Sequence, residues 1–149
     1  MGRGVKRHFE VSIIIPTDKP SCFLPKLVET VLDQTTKPDE IVVVNSSLDD
    51  ISDSLNRDLP ITVIHIPPGS FDHGGARNLG ARRSKGQILV FLTHDALPAS
   101  KDWLDLLIEP FRIDEGIAAV YGRQLPGRGA SPLEVFARSF NYGDDPIFK

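Results

Sequence analysis

The feature that most constrains this chain is a repeated switch of apolar period, from short β-branched runs to stripes at helical spacing. Residues 11–16 (VSIIIP) are almost continuously apolar, as in a strand buried on both faces of a parallel sheet. Leu24, Leu27, Val28, Val31 and Leu32 then fall on one side of a helix that ends near Gln34. A second buried run covers 41–44, after which Asp49 or Asp50 is placed to cap a short polar helix through Leu59, stopped by Pro60. A third run, 61–66, closes on Pro67-Pro68-Gly69. Residues 76–84 read as a helix with Ala76, Leu79 and Gly80 inward, and 87–93 (QILVFLT) as a fourth strand. Ser100 is expected to cap a helix over 101–111, shortened by Pro110, and 117–121 is a fifth strand. Ser131-Pro132-Leu133-Glu134 forms a capping box with proline at the first helical position, opening a helix toward Phe140.

Five strand and helix units with short linkers predict an α/β fold, a mostly parallel sheet with helices on both faces and right-handed crossovers. The 149 residues suit one domain, 11–149, behind a flexible basic tail, 1–10. Apolar runs such as 41–44 fall far short of the ~20 residues a membrane-spanning helix needs. The tail lacks the apolar stretch of a secretory signal, and the lone Cys22 can form no internal disulfide. A cytoplasmic location, extending to the membrane surface, is therefore expected. With 17 basic and 20 acidic residues the chain carries a net charge of −3, which excludes nucleic-acid binding through bulk electrostatics. Arg77, Arg82, Arg83 and Lys85 nevertheless crowd into 74–87 without a carboxylate, which suits a small anion.

Ligands of such sheets bind beyond the carboxyl ends of the strands, where strand order reverses. After the fourth strand come Thr93-His94-Asp95, and Asp95 either ligates a hard divalent cation or caps the loop before Pro98. In Phe71-Asp72-His73-Gly74-Gly75, two glycines precede a helix with Arg77 in its first turn. This is either a phosphate site built from free N–H groups or a solvated turn. No GxGxxG or Walker A loop occurs. The cluster from Asn45 to Asp50 suits a base or ribose, and equally a helix cap. Cys22 reads as structural rather than nucleophilic, and no GxSxG motif completes a triad with Asp72 and His73.

Taken in order, VSIIIPT (11–17), EIVVVNS (40–46), HGGARNLG (73–80) and GQILVFLTHD (86–95) resemble the family 2 glycosyltransferases of the GT-A fold. FDHGGARN (71–78), FLTHDA (91–96) and AAVYGRQLP (118–126) look closest to the rhamnosyltransferase branch. The resemblance implies that Pro16 and Thr17 lie against the nucleotide and that Asn45 stands where a base-binding aspartate is usual. It further implies that Arg77 approaches the nucleotide or its diphosphate. Thr93 and Asp95 become the outer positions of an Asp-x-Asp element, with Asp95 on Mg²⁺ or Mn²⁺. Asn45 and Thr93 both depart from the family's carboxylates.

The implied chemistry is inverting transfer of a sugar from a nucleotide-diphosphate donor to a hydroxyl of a saccharide or lipid-linked acceptor. No catalytic base is identifiable, and Asp144 and Asp145 match no base motif. The chain thus reads as the donor-binding half of a GT-A enzyme, truncated and prone to self-association through an uncovered apolar face. A non-catalytic binding or assembly module on the same fold is the competing reading.

Overall fold

The structure, a computed structural model, describes residues 7–18, 23–47, 51, 55, 60–127 and 129–142. Its elements in chain order are β1 (Val11–Thr17), α1 (Phe23–Leu32), β2 (Glu40–Asn45), β3 (Ile61–His65), α2 (His73–Arg83), β4 (Ile88–Phe91), α3 (Trp103–Ile113) and α4 (Pro132–Asn141). The expected short helix after Asp49 or Asp50 falls mostly outside the described residues, although Ile51 and Leu55 are buried in the core. Cys22 and residues 1–6 also lie outside them.

The four strands are parallel, in the order β3-β2-β1-β4. Because β1 is central, every one of its residues is buried, which explains its unbroken apolar run. On one face Ile13, Ile15, Val43 and Val90 pack with Leu24, Leu27 and Val31 of α1 and Leu104 and Ile108 of α3. On the other face Ile14, Val42 and Val44 meet Ala76 of α2. Helices on both faces of a parallel sheet are thus as the sequence predicts.

Three expectations are corrected. The fourth strand ends at Phe91 rather than at residue 93. Leu92 donates its N–H to the Ile14 carbonyl at 3.0 Å, but the next donor in register is Pro16, which has no N–H. The pairing of β1 with β4 therefore stops at Pro16. The fifth strand, 117–121, is irregular, because no described strand lies beside it to pair its N–H and C=O groups. Ser100 does not cap α3. Its place is taken by Gln34, whose Oε1 accepts the Leu104 N–H at 3.2 Å while its Nε2 donates to the Ser100 carbonyl at 2.9 Å. That long-range exchange could not be seen in local spacing. Pro110 lies inside the helix, which runs on to Ile113. Ser131 caps α4 as expected, its Oγ accepting the Glu134 N–H at 3.2 Å.

At the amino edge of the sheet, Glu40 receives the Ser12 hydroxyl at 2.5 Å and the Lys85 N–H. Burial pushes the Glu40 carboxyl up, but these hydrogen bonds outweigh it and hold the group below its ordinary value. A carboxylate depressed in the folded state stabilises above its unfolded pKa and loses that contribution as pH falls through the folded one. Glu40→Gln is therefore expected to lower Tm near neutral pH by roughly 2–4 °C, about 1 kcal/mol for a domain of this size. The loss should shrink as pH falls through the depressed folded pKa of Glu40 and vanish once the carboxyl is protonated in both states. Thermal unfolding followed across pH checks this, and parallel curves would refute it.

Candidate functional site

Strand order reverses at β1, since β2 and β3 lie on one side and β4 on the other. The carboxyl ends of β1 and β4 are thus the topological switch point, where a ligand of such a sheet is expected. A groove of about 1670 Å³ lies along the outer edge of β4 and takes in the turn that follows it.

Three of the six residues singled out in the sequence meet in that groove: Arg77, Thr93 and Asp95. Thr93 and Asp95 follow β4 on a turn closed by the Ala96 N–H on the Thr93 carbonyl at 3.2 Å, and both are exposed. Arg77 sits one turn into α2, half-buried, its guanidinium donating to the His73 carbonyl at 3.2 Å. The other three, Pro16, Thr17 and Asn45, form the adjoining ends of β1 and β2. Thr17 and Asn45 are register partners, each 0% exposed, and neither they nor Pro16 line the groove. Asn45 Oδ1 accepts the Ser47 N–H at 3.1 Å, so this amide shapes the loop leaving β2.

The segment 71–75, read in the sequence as either a phosphate site or a solvated turn, leads into a capped helix. The α2 helix begins at His73, three residues before the sequence suggests, and its N-cap is Asp72, whose Oδ2 accepts the Gly75 N–H at 2.5 Å. A carboxylate thus takes one of the N–H groups of this helix start, that of Gly75. Gly75 is needed for that cap, because a Cβ there would lie 2.9 Å from the Asp72 carboxylate. Arg82, Arg83 and Lys85 are exposed, which fits a solubilising role for Arg82 and Lys85.

Sequence reading gave no role to the opposite wall. Tyr121, Arg123, Arg138, Asn141 and Tyr142 line the same groove, and the Tyr121 and Tyr142 rings meet edge-on at 6.5 Å. Tyr121 and Arg123 were signalled only as part of AAVYGRQLP (118–126), and the other three not at all. The contribution of α4 depends on how the chain returns to the sheet, which no local pattern reveals.

Three guanidinium groups, Arg77, Arg123 and Arg138, thus share a groove with the exposed Asp95. Among the described residues no cluster of three or more His, Cys, Asp or Glu side chains could cage a metal. One exposed carboxylate with a neighbouring hydroxyl does fit Mg²⁺ or Mn²⁺, ions that take one or two protein carboxylates and draw other ligands from phosphate oxygens and water. The arginines suit the anionic partner that such a cation would share. No helix among the described residues is long and apolar enough to cross a membrane.

Comparison with known proteins gives a concordant picture. Residues 12–137 match the family described as Glycosyl transferase family 2. An O-antigen chain rhamnosyltransferase, RfbN, of Salmonella typhimurium is 39% identical over 142 residues, covering 94% of this chain and 45% of the relative. A second, WbaN of Salmonella anatum, is 38% identical over 117 residues, covering 78% and 37%. The chain therefore spans less than half the length of these relatives. Among solved structures, the mannosyltransferase PcManGT of Pyrobaculum calidifontis, in complex with GDP-Man and Mn²⁺, superposes with a TM-score of 0.61. It does so at 23% identity, over 70% of this chain and 33% of that one.

Proposed function

The chain belongs to the family 2 glycosyltransferases, and from that membership we propose that its groove holds a nucleotide-diphosphate sugar donor. The observation that carries this reading is the meeting of Arg77, Thr93 and Asp95 at the switch point between β1 and β4. Arg77 binds the diphosphate, while Pro16, Thr17 and Asn45 shape the floor beneath the nucleotide. Asp95, with the Thr93 hydroxyl beside it, holds a Mg²⁺ or Mn²⁺ ion. A bound divalent cation would offset charge developing on the departing diphosphate. The GDP-Man and Mn²⁺ of the Pyrobaculum enzyme support both donor class and metal.

The names of the Salmonella relatives support rhamnose as the sugar and a growing O-antigen-type polysaccharide, free or lipid-linked, as the acceptor. Transfer proceeds with inversion, on the cytoplasmic side, in a protein that also supplies a base to take the acceptor's proton. No residue of this chain is assigned as that base. The replacement of family carboxylates by Asn45 and Thr93 favours a second reading, a module that binds nucleotide sugars without transferring them.

A thermal-shift panel of dTDP, UDP and GDP, each with and without Mn²⁺, tests the donor site, since a ligand that binds the folded state must raise its stability. One nucleotide should stabilise the chain with metal and little without it. Metal-independent shifts, or none, would remove the donor-site reading. Measurable sugar transfer by the chain would remove the non-catalytic one.

A further inference from the structure

A helix that closes over a core turns its apolar side inward. The last turns of α4 do the reverse. Arg138 and Asn141, three residues apart on one side of the helix, line the groove together with Tyr142. Leu133, Phe136 and Phe140 occupy the opposite side, are strongly exposed and take no part in the groove. Phe136 and Phe140 stack on each other instead, at 6.1 Å. The wall that α4 presents is therefore polar by construction. Beyond residues 117–121, Arg123 and Gln124 add a second guanidinium and an amide to it. Two rings complete the wall. Tyr121 is 69% exposed and Tyr142 half-buried, and their edge-on contact covers only one face of one ring. The Tyr142 N–H donates to the Arg138 carbonyl at 2.9 Å, which fixes this ring to the end of α4.

We propose that this wall is a saccharide subsite, where one pyranose ring lies on the Tyr121 and Tyr142 pair with its hydroxyls held by Arg123, Arg138 and Asn141. A pyranose has the matching chemistry, C–H bonds on its faces and hydroxyl groups around its rim. The electron-rich face of a tyrosine attracts the C–H side. Guanidinium groups donate to hydroxyl oxygens, and the amide of Asn141 both donates and accepts. A few convergent polar groups beside an aromatic surface are what orient a small ligand in a pocket. A phosphate group alone would use the arginines and leave the rings idle. The inference rests on the donor reading above, which puts the diphosphate at Arg77 and Asp95 and leaves the far wall to a sugar. Two sugars present the same ring to it, the one carried by the donor and the terminal residue of the acceptor.

Saturation-transfer NMR on the chain with the methyl glycosides of rhamnose, mannose and galactose tests this. At least one glycoside should take up saturation, most strongly at its ring C–H protons. Tyr121→Ala should weaken its binding about tenfold, whereas Tyr121→Phe, which keeps the ring, should not. Arg138→Met keeps the stem and loses the donors, so it should weaken binding independently. The source of the sugar is then read with Mn²⁺ and dTDP, UDP or GDP, and with the same nucleotide linked to rhamnose. A glycoside displaced by the nucleotide sugar but not by the nucleotide shares its place with the donor's sugar. One that stays with both bound marks the acceptor's place. Displacement by the nucleotide alone would put a base on the rings and overturn the proposal. Absence of binding by every glycoside would overturn it too, as would binding that survives both Tyr121→Ala and Arg138→Met. Thermal shifts on the same samples keep the two readings apart: glycoside binding without nucleotide stabilisation would remove the donor site and leave the subsite.

Discussion

Asp95→Asn is expected to erase the metal-dependent part of nucleotide stabilisation while leaving the unliganded chain as stable as before. The side chain is exposed on a turn held by backbone atoms, with Ala96 N–H on the Thr93 carbonyl, so its charge supports no packing. Surface changes of that kind cost no more than about 0.5 kcal/mol. The ligand side is different. At a hundred times the dissociation constant a bound nucleotide adds about 2.7 kcal/mol, roughly 5–11 °C in Tm for a domain of this size. An amide in place of the carboxylate removes the anionic oxygen that a hard divalent cation requires.

Arg77→Ala gives the contrast that makes the result specific. It removes a guanidinium from the diphosphate, so it should weaken binding with and without Mn²⁺. Asp95→Asn should lower only the Mn²⁺ increment. Titration calorimetry of the favoured nucleotide with Mn²⁺ and with EDTA separates the two. Should Asp95→Asn retain the full metal increment, the cation sits elsewhere and the assignment of Asp95 is wrong.

Much of this layout was legible because the buried strands and amphipathic helices are driven by burial, and burial leaves a period in the sequence. The stripe of Leu24, Leu27, Val28 and Val31 and the unbroken runs of β1 and β2 became elements close to where they were expected. What escaped depends on partners distant in sequence. Gln34 caps α3 from 70 residues away. Pro16 ends β4 by failing to donate across a register that only the fold sets. Residues 117–121 carry the composition of a strand, but composition cannot supply the neighbour a strand needs. The site divided along the same line. Arg77, Thr93 and Asp95 lie near element ends that the apolar period marks, whereas Arg138 and Tyr142 reach the groove only through the return of α4. Asp72 escaped for a local reason: a glycine pair resembles a loop until an aspartate is seen to cap it.

Gly80→Ala is expected to cost about 1–3 kcal/mol in stability, against the sign that helix propensity alone predicts. Glycine inside a helix is about 1 kcal/mol worse than alanine, so at a free position the change would stabilise. Position 80 is not free. A Cβ there would lie 2.4 Å from Ile14 Cγ2 and 3.4 Å from Val44 Cγ2. Ile14 is β-branched, fully buried and locked in the central strand, so its methyl cannot swing aside. The helix must lift from the sheet instead. Because α2 also carries Arg77, the same displacement should weaken nucleotide binding although residue 80 touches no ligand. Denaturant unfolding measures the cost, and a double-mutant cycle identifies its cause. Ile14→Ala alone opens a cavity and should be strongly destabilising. Combined with Gly80→Ala it should be less so than the two costs added, because the new methyl enters the space Ile14 leaves. Strict additivity would mean that the contact between Gly80 and Ile14 does not set the distance between α2 and the sheet.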